Sequence, residues 1–327
     1  MTYSIVASCP DTGQIGVAVQ SHWFAAGVVC WAKAGVGAVA TQAMALIDHG
    51  PLAIELMESG TKPEEAMGSR LSLDPSPEIR QVAMIDAKSR ISTHTGSDTI
   101  PESGHFVGDG FSCQANMMWK STVWGRMADA FVGTSGDLSS RMLAALYEAE
   151  SEQGDIRGKQ SARLLVVDSE IQSYPWEGTI VDIRVDDNPE PLQELDRLLK
   201  MHNDYVNINS LDVGAISQTK NSGNPEIAFW KSIALVQSGR INEARELALI
   251  AFEDNSGWEE LLRRCANNGL AGVTDNTISA LLQRIKMISG GHVLGGRSSS
   301  KRLALQSSPS RSPKASSIPG RVARFRA

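Results

Sequence analysis

Long apolar runs are missing from this sequence. No run approaches the roughly 18 apolar residues of a membrane-spanning helix, and the N-terminus lacks the basic and then apolar segments of a secretory signal. We therefore expect a cytoplasmic protein that has no membrane as a partner. Hydrophobic residues make up 42% and charged residues 21% of the 327 positions, a composition typical of a globular protein whose core needs no disulfide or metal.

Cysteine is scarce and is not spaced for metal binding. No C-x-x-C pair occurs, and no two histidines have H-x-x-x-H spacing. Gly35 and Gly37 lack the G-x-G-x-x-G pattern and the lysine of a phosphate-binding loop. We therefore expect no metal and no other cofactor, and we predict buried free thiols at the four cysteines, which are Cys9, Cys30, Cys113 and Cys265.

Acidic residues are absent from one end of the chain. From Lys286 onward there are nine Lys and Arg and no Asp or Glu, which leaves 22 basic and 37 acidic side chains before it. The acidic part is a poor candidate for nucleic-acid binding. The stretch 290–327 is rich in Ser, Gly, Pro and Arg and is predicted to be disordered; it either touches an anionic partner or is simply solvated.

Two short runs rich in Ile and Val open the chain. Residues 2–7 and 15–21 are separated by a Pro, Asp, Thr and Gly turn sequence that ends at Gly13. Glycine can adopt the positive φ that a tight turn needs, so the pattern predicts a β-hairpin. A third run, 34–42, carries two glycines two apart and predicts a strand packed closely against another backbone.

Patterns typical of strands, in which apolar and polar residues alternate, and patterns typical of helices then follow one another along the chain. The glycine-rich stretch 104–110 is predicted to be a loop, and Thr61 to cap a helix that has Pro63 in its first turn. The order of elements favours an α+β fold with helices covering the sheets. Predicted strands are 80–86, 90–94, 161–167 and 179–185, and predicted helices are two segments within 54–71, 123–131, 138–152 and 191–203.

Residues beyond 205 follow a different pattern. The stretch 207–225 is polar and linker-like, and three helices are predicted within 229–265, where the spacing resembles a single tetratricopeptide-like unit. One such unit cannot bury its own apolar face, so it must pack on the main domain or on a partner. We therefore predict an αβ domain over 1–204, a helical appendage over 205–285 and a basic, disordered tail over 286–327.

Several short motifs occur in order within residues 2–200. Together they resemble the DUF1028 family, an uncharacterised group of bacterial and archaeal proteins, and residues 229–264 resemble an appendage that many members carry. The resemblance implies the fold of the N-terminal-nucleophile hydrolases, a four-layer αββα sandwich. The motifs are residues 2–7, 16–21, 34–42, 94–96, 114–117, 154–161 and 182–187.

Thr2 is the first candidate for chemistry. If Met1 is removed, Thr2 carries both a hydroxyl and a free α-amine, which is a nucleophile with its own base. An α-amine titrates near pH 8, so part of it is neutral at cellular pH and can accept the hydroxyl proton. The alternative is that Thr2 is simply a good strand residue beside the initiator methionine.

An acyl-transfer site also needs hydrogen-bond donors and groups that hold the substrate. Gln42, Gln114 and Asn116 lie in glycine-flanked segments at strand ends, where their amides could face a cleft and act in catalysis. His94 is the best candidate among the histidines for a general base. Each of these side chains could instead be structural, and Asp155 and Arg157 could form an ordinary salt bridge. The expected substrate-binding residues are Thr41, Asp155, Arg157 and Gln160.

These observations favour an amidohydrolase that transfers the acyl group of a small polar amide to Thr2. We expect a small-molecule substrate and a homo-oligomer. Two alternatives remain: a non-catalytic protein of the same fold that binds a partner protein or a small molecule, and a hydrolase that uses Ser4, Cys9 or His94 instead.

Overall fold

The computed structural model describes residues 2–174, 176–209 and 223–283. The described residues up to Leu281 form one compact unit. The predicted tail 286–327 and most of the predicted linker 207–225 lie outside the described residues. Within the described part, no helix is long and apolar enough to cross a membrane.

Ten strands form two antiparallel sheets. The larger sheet has the order β10-β9-β2-β1-β8-β7 and the smaller one the order β3-β4-β5-β6. The predicted N-terminal hairpin is confirmed, since β1 pairs with β2 and Gly13 has a φ of 70°. The strands are β1 (Thr2–Ser8), β2 (Ile15–Ser21), β3 (Cys30–Lys33), β4 (Gly37–Ala43), β5 (Arg80–Asp86), β6 (Ile91–Thr95), β7 (Gly104–Gly108), β8 (Phe111–Asn116), β9 (Ser161–Val167) and β10 (Thr179–Val185).

Nine helices are described, which together with the sheets make this a mixed α+β fold, as predicted. Local signals explain several of their starts: Pro63 opens one helix, and the carboxylate of Asp137 accepts the Ser140 N–H at 2.7 Å to cap another. The helices are α1 (His49–Glu58), α2 (Pro63–Ser72), α3 (Val123–Gly133), α4 (Leu138–Ser151), α5 (Pro191–Asn209), α6 (Pro225–Gln237), α7 (Ile241–Asp254), α8 (Gly257–Asn267) and α9 (Asp275–Leu282).

The stretch predicted to be a loop at 104–110 is instead strand β7 and the turn that follows it. Its glycines make room for aromatic rings: a Cβ on Gly104 would overlap Trp124, and one on Gly108 would overlap Phe111. Because glycine is more common in turns than in strands, the composition of this stretch concealed an edge strand.

Smaller differences concern where elements begin and end. The N-cap of α2 is Lys62 and not Thr61, and α5 continues to Asn209, beyond the predicted end at residue 203. Strand β3 and helix α9 were not predicted. The four cysteines are free and buried, which confirms the prediction made from their spacing.

Three layers of apolar contacts hold the sheets and the first five helices together. Because neighbouring strand residues face opposite ways, Ile5 belongs to a buried cluster that also contains residues of α3, α4 and α5, whereas Val6 belongs to a cluster that contains residues of the smaller sheet such as Ala83. The other face of the smaller sheet, through Val39 and Met84, packs against α1 and α2. The side chains between the two sheets are therefore enclosed on both sides.

Helices α6 to α9 have an apolar centre of their own. Phe229 is fully buried, and its ring centroid lies 5.2 Å from that of Trp258. Helix α7 contributes only small buried residues, Ala244, Ala248 and Ala251, which lets it approach α6 closely. The three helices predicted within 229–265 are confirmed, and their likeness to a tetratricopeptide unit remains a prediction.

Candidate functional site

Thr2 lies in a row of four polar residues that crosses the larger sheet. It pairs with Ser21 of β2 and with Asn116 of β8, and Ser21 pairs with Ser161 of β9. All four side chains alternate with residues of the helix-covered face, so they lie on the face that meets the smaller sheet. We call these residues, Ser161, Ser21, Thr2 and Asn116, the polar row; all of them are buried.

The hydroxyl and the carbonyl of Thr2 are both held by neighbours. Its Oγ1 donates a hydrogen bond to Ser21 Oγ at 3.0 Å. Its carbonyl oxygen accepts from Asn116 Nδ2 at 3.2 Å and from Gln42 Nε2 at 3.3 Å. One residue from each sheet therefore fixes the backbone of Thr2 at the start of β1.

A network of buried amides lies beside the polar row. Gln114 Nε2 donates to Ser4 Oγ at 2.6 Å, and Ser4 Oγ donates to Gln42 Oε1 at 2.7 Å. Gln42 Nε2 donates in turn to Gln81 Oε1 at 2.6 Å, and Asn116 Nδ2 donates to the same oxygen at 3.0 Å. The sequence suggested that these amides face an open cleft. The structure instead buries all three between the sheets: Gln42, Gln114 and Asn116.

The direction of these hydrogen bonds is set by backbone carbonyls. Gln81 Nε2 donates to the carbonyl oxygens of Ala115 at 2.9 Å and Gly104 at 3.0 Å. A carbonyl can only accept, so the oxygen of the Gln81 amide must face Gln42 and Asn116. One acceptor is left over: Asn116 Oδ1 is buried and has no hydrogen-bond partner among the described residues.

Unusual backbone conformations mark the ends of the strands around Thr2. Ala43, which ends β4, has a φ of 68°, and Met117, which follows β8, has a φ of 56°. Ala25, shortly after β2, has a φ of 52°. For residues other than glycine this region costs about 1–2 kcal/mol each, and such strain tends to collect at functional sites.

Two of the predicted site residues lie on a different face. Thr41 precedes Gln42 on β4 and pairs with Val82, which packs against α1 and α2. His94 also pairs with Val82, and its Nε2 lies 2.7 Å from the carbonyl oxygen of Pro77. The structure therefore does not bring Thr41 and His94 together with Thr2.

A different histidine reaches the outer edge of the amide network. Gln81 Nε2 donates to Thr95 Oγ1 at 2.9 Å, and Thr95 Oγ1 lies 2.8 Å from His105 Nδ1. Burial, followed by the nearby charge of His94, lowers the pKa of His105. Its Nδ1 is therefore suited to accept the Thr95 proton.

The predicted pair of Asp155 and Arg157 lies beside the turn that follows β2. Asp155 is buried and accepts from Arg157 Nη2 at 3.1 Å and from the His22 backbone N–H at 3.3 Å. Gln160 donates from its backbone N–H to Ser21 O at 3.1 Å, but its side chain reaches Asp187 at 3.0 Å. Asp155 and Arg157 therefore hold the turn that follows Ser21.

Sequence reasoning did not single out Ser21, Gln81 or Ser161. Ser161 Oγ donates to Trp23 O at 2.6 Å and accepts from Ala26 N at 2.9 Å, so it fixes the same turn. For Gln81, the available signal was a polar residue inside a strand otherwise rich in apolar residues, which can indicate a buried hydrogen-bonding role. Ser21 and Ser161 could be placed beside Thr2 only by strand register.

A separate cavity of about 590 Å³ lies at the opposite end of the sheets. Its lining includes Trp31, Lys33, Val167 and Tyr174, and Val167 pairs with Ile15 at the far end of β2 from Ser21. None of the polar row lines this cavity. Within the described ranges, no group of three or more His, Cys, Asp or Glu side chains is arranged to hold a metal ion.

Comparison with known proteins identifies the relatives of this chain. A crystal structure of protein SPO2555 from Silicibacter pomeroyi, a DUF1028 protein, is 29% identical, covers 61% of this chain and 88% of its own, and superimposes with a TM-score of 0.55. No curated protein matches significantly. The model of DUF1028, a family of unknown function, matches residues 2–195. The chain therefore belongs to the DUF1028 family.

Proposed function

We propose that this protein is an amidohydrolase that transfers an acyl group to Thr2 after the bond between Met1 and Thr2 has been cleaved. The packing of helices, sheet, sheet and helices supports a four-layer αββα sandwich of the N-terminal-nucleophile hydrolase type. We further propose a small-molecule substrate, a cytoplasmic location and a homo-oligomer. The observation that carries the proposal is the position of Thr2, which begins a strand with its hydroxyl between the two sheets.

The reaction uses the two groups of Thr2 itself. Thr2 Oγ1 attacks the carbonyl carbon of the amide while its proton passes to the neutral α-amine. Collapse of the tetrahedral intermediate breaks the C–N bond, and the α-ammonium returns the proton to the departing amine. Water then attacks the Thr2 ester with the α-amine as base, which releases a carboxylic acid and restores the hydroxyl.

The neighbouring amides serve this reaction by positioning Thr2. The N–H groups of Gln42 and Asn116 already donate to the Thr2 carbonyl and to Gln81, so their role is to fix the start of β1. Asn116 Oδ1 is an acceptor with no described partner, on the residue paired with Thr2. We expect the freed α-amine of Thr2 to supply the donor that this oxygen lacks.

The other nucleophiles considered from the sequence are poorly placed. Ser4 is fully buried between Gln42 and Gln114. Cys9 follows β1 at the end opposite Thr2. These positions favour Thr2 over a hydrolase that uses Ser4, Cys9 or His94.

A pair of substitutions at Thr2 tests the proposal. The protein is incubated with a small β-lactone, which acylates a nucleophilic hydroxyl by opening its ring, and its intact mass is measured. We expect the wild type and Thr2→Ser to gain one adduct and Thr2→Ala to gain none, with unchanged circular dichroism. Equal labelling of Thr2→Ala would show that a different residue is the nucleophile. Labelling of neither the wild type nor any variant would favour the non-catalytic alternative.

A further inference from the structure

Several large apolar side chains are exposed in the segments that follow the strand ends beside Thr2. They are between 43% and 66% exposed. Isolated exposed apolar residues are common, whereas a contiguous group usually marks a binding surface. We call this group the apolar collar; it consists of Trp23, Phe24, Met44, Ile47, Trp119 and Ile156.

Strand register places the collar around the polar row. Trp23 and Phe24 follow Ser21, Trp119 follows Asn116, and Ser21 and Asn116 are the two residues paired with Thr2. Met44 and Ile47 follow β4, two and five residues after Gln42. Ile156 joins them because its N–H donates to Met117 O at 3.3 Å.

The backbone beneath the collar is fixed by specific hydrogen bonds. Ser161 holds Trp23 O at 2.6 Å, Arg80 donates to Met44 O, and Trp119 N donates to Gly154 O at 3.1 Å. Preorganised apolar groups bind without a large entropic cost of ordering. The collar is therefore suited to hold a ligand in a fixed position.

The expectation of a polar substrate rested on amides and an arginine that would line the site. The structure buries those amides in their own network, and it pairs Arg157 with Asp155. The segments that follow the strands on both sides of Thr2 instead expose several large apolar side chains.

We propose that the collar binds the acyl part of the substrate, and that the substrate class is amides of aliphatic or aryl-alkyl carboxylic acids. This proposal rests on the acyl transfer to Thr2 proposed above. The acyl part is the better candidate because it stays bonded to Thr2 Oγ1 through both steps, whereas the amine leaves after the first. We expect side chains of the collar near Thr2 to contact the acyl group throughout the reaction.

A series of β-lactones tests the substrate class without requiring a known amide. The rate of acylation at Thr2 is measured by peptide mass spectrometry for lactones bearing methyl, propyl or hexyl groups, and for one bearing a carboxylate. We expect the rate to rise about two- to fourfold for each methylene that reaches the collar, because about 0.8 kcal/mol is gained for each buried methylene. The carboxylate lactone should react more slowly than the propyl one.

Matched variants assign the effect to the collar. In a double variant, Trp23→Ala with Trp119→Ala, the preference for hexyl over methyl should fall at least tenfold. Trp176→Ala should keep the wild-type preference, since Trp176 is 71% exposed but lies between β9 and β10, away from Thr2. Circular dichroism should be unchanged in all variants, because the substituted side chains are exposed.

Three outcomes would overturn the inference. Equal rates of acylation at Thr2 for all the lactones would rule out the acyl-binding role of the collar but would leave the acyl transfer to Thr2 intact. Failure of every lactone to label Thr2 would remove both proposals together. If the double variant changes the oligomeric state seen by size-exclusion chromatography but keeps the chain-length preference, the collar is an interface between copies of this chain.

Discussion

Asn116 Nδ2 donates to the carbonyl oxygen of Thr2 at 3.2 Å, while Oδ1 of the same amide is buried without a described partner. One side chain thus fixes the backbone of the candidate nucleophile and carries a second polar atom whose capacity to accept a hydrogen bond is unused. A free α-amine on Thr2 would complete this arrangement, and the proposed reaction needs the same amine as its base.

Asn116→Asp should change the pH dependence of acylation at Thr2. A carboxylate beside the α-amine favours the protonated amine and raises its pKa, so the rise of the labelling rate with pH should move to higher pH. Asn268→Asp on the exposed end of α8 is the control and should keep the wild-type profile. The profile is measured with a β-lactone between pH 6 and 10. An unchanged profile in a folded Asn116→Asp protein would contradict the role given to Asn116.

Gln81→Leu should destabilise the protein strongly. The substitution leaves the amide N–H groups of Gln42 and Asn116 buried without their acceptor, and each such group costs about 1–3 kcal/mol. We therefore expect the free energy of unfolding in urea to fall by about 3 kcal/mol. Gln193→Leu, on the exposed surface of α5, should change it by less than about 0.5 kcal/mol. A similar small loss at both positions would show that the network does not stabilise the fold.

The N-terminal hairpin and strand β5 could be predicted because their signals are local. Alternating apolar residues and the glycine at the turn define these strands within a few neighbouring residues. The same alternation shows that Thr41 and Gln42, as neighbours on one strand, cannot both face Thr2. Grouping them in one site ignored this consequence of strand geometry.

The composition of the polar row could not be predicted in the same way. Ser21, Asn116 and Ser161 meet Thr2 or each other only through pairing between strands that are distant in sequence. A shift of one residue in any pairing would turn these side chains to the other face. Register depends on the packing of the whole sheet, which a local pattern does not contain.

Asp74 should make the stability of the smaller sheet depend on pH. Its buried carboxylate accepts from Arg80 Nε and His49 Nε2, both at 2.8 Å, and the Arg80 hydrogen bond is the main reason that its pKa lies well below the ordinary value. A depressed pKa stabilises the fold fully above the unfolded-state pKa of about 3.9. This contribution declines as the pH falls below that value and is lost only as the pH falls through the lower folded-state pKa.

We therefore expect Asp74→Asn to lower the free energy of unfolding by about 3 kcal/mol at pH 7. At pH 3 the loss should be smaller by about 1 kcal/mol, because the unfolded-state carboxyl is then mostly protonated while the folded-state carboxylate stays ionised. Urea unfolding at both pH values provides the comparison. Asp129→Asn, on the exposed side of α3, is the control and should show little change at either pH. The same loss at pH 7 and pH 3 would rule out the ionised carboxylate as the cause.

Replacing two of the glycines with alanine should change the free energy of unfolding in opposite directions. A Cβ on Gly96 would overlap the backbone carbonyl of Glu78, whereas a Cβ on Gly68 in α2 meets no atom within 4 Å. Gly96→Ala should lower the free energy of unfolding by about 1–3 kcal/mol through overpacking. Gly68→Ala should raise it by about 0.5–1 kcal/mol through helix propensity. Thermal unfolding of both variants gives the sign of each change, and a stabilised Gly96→Ala would contradict the close packing just after the end of β6.

The most direct test of acyl transfer is the mass of the N-terminal peptide after the purified protein has reacted with a β-lactone. We expect this peptide to begin at Thr2 and to carry the mass of one opened lactone on the threonine hydroxyl. A peptide that retains Met1, or an adduct found only at another residue, would contradict the central claim.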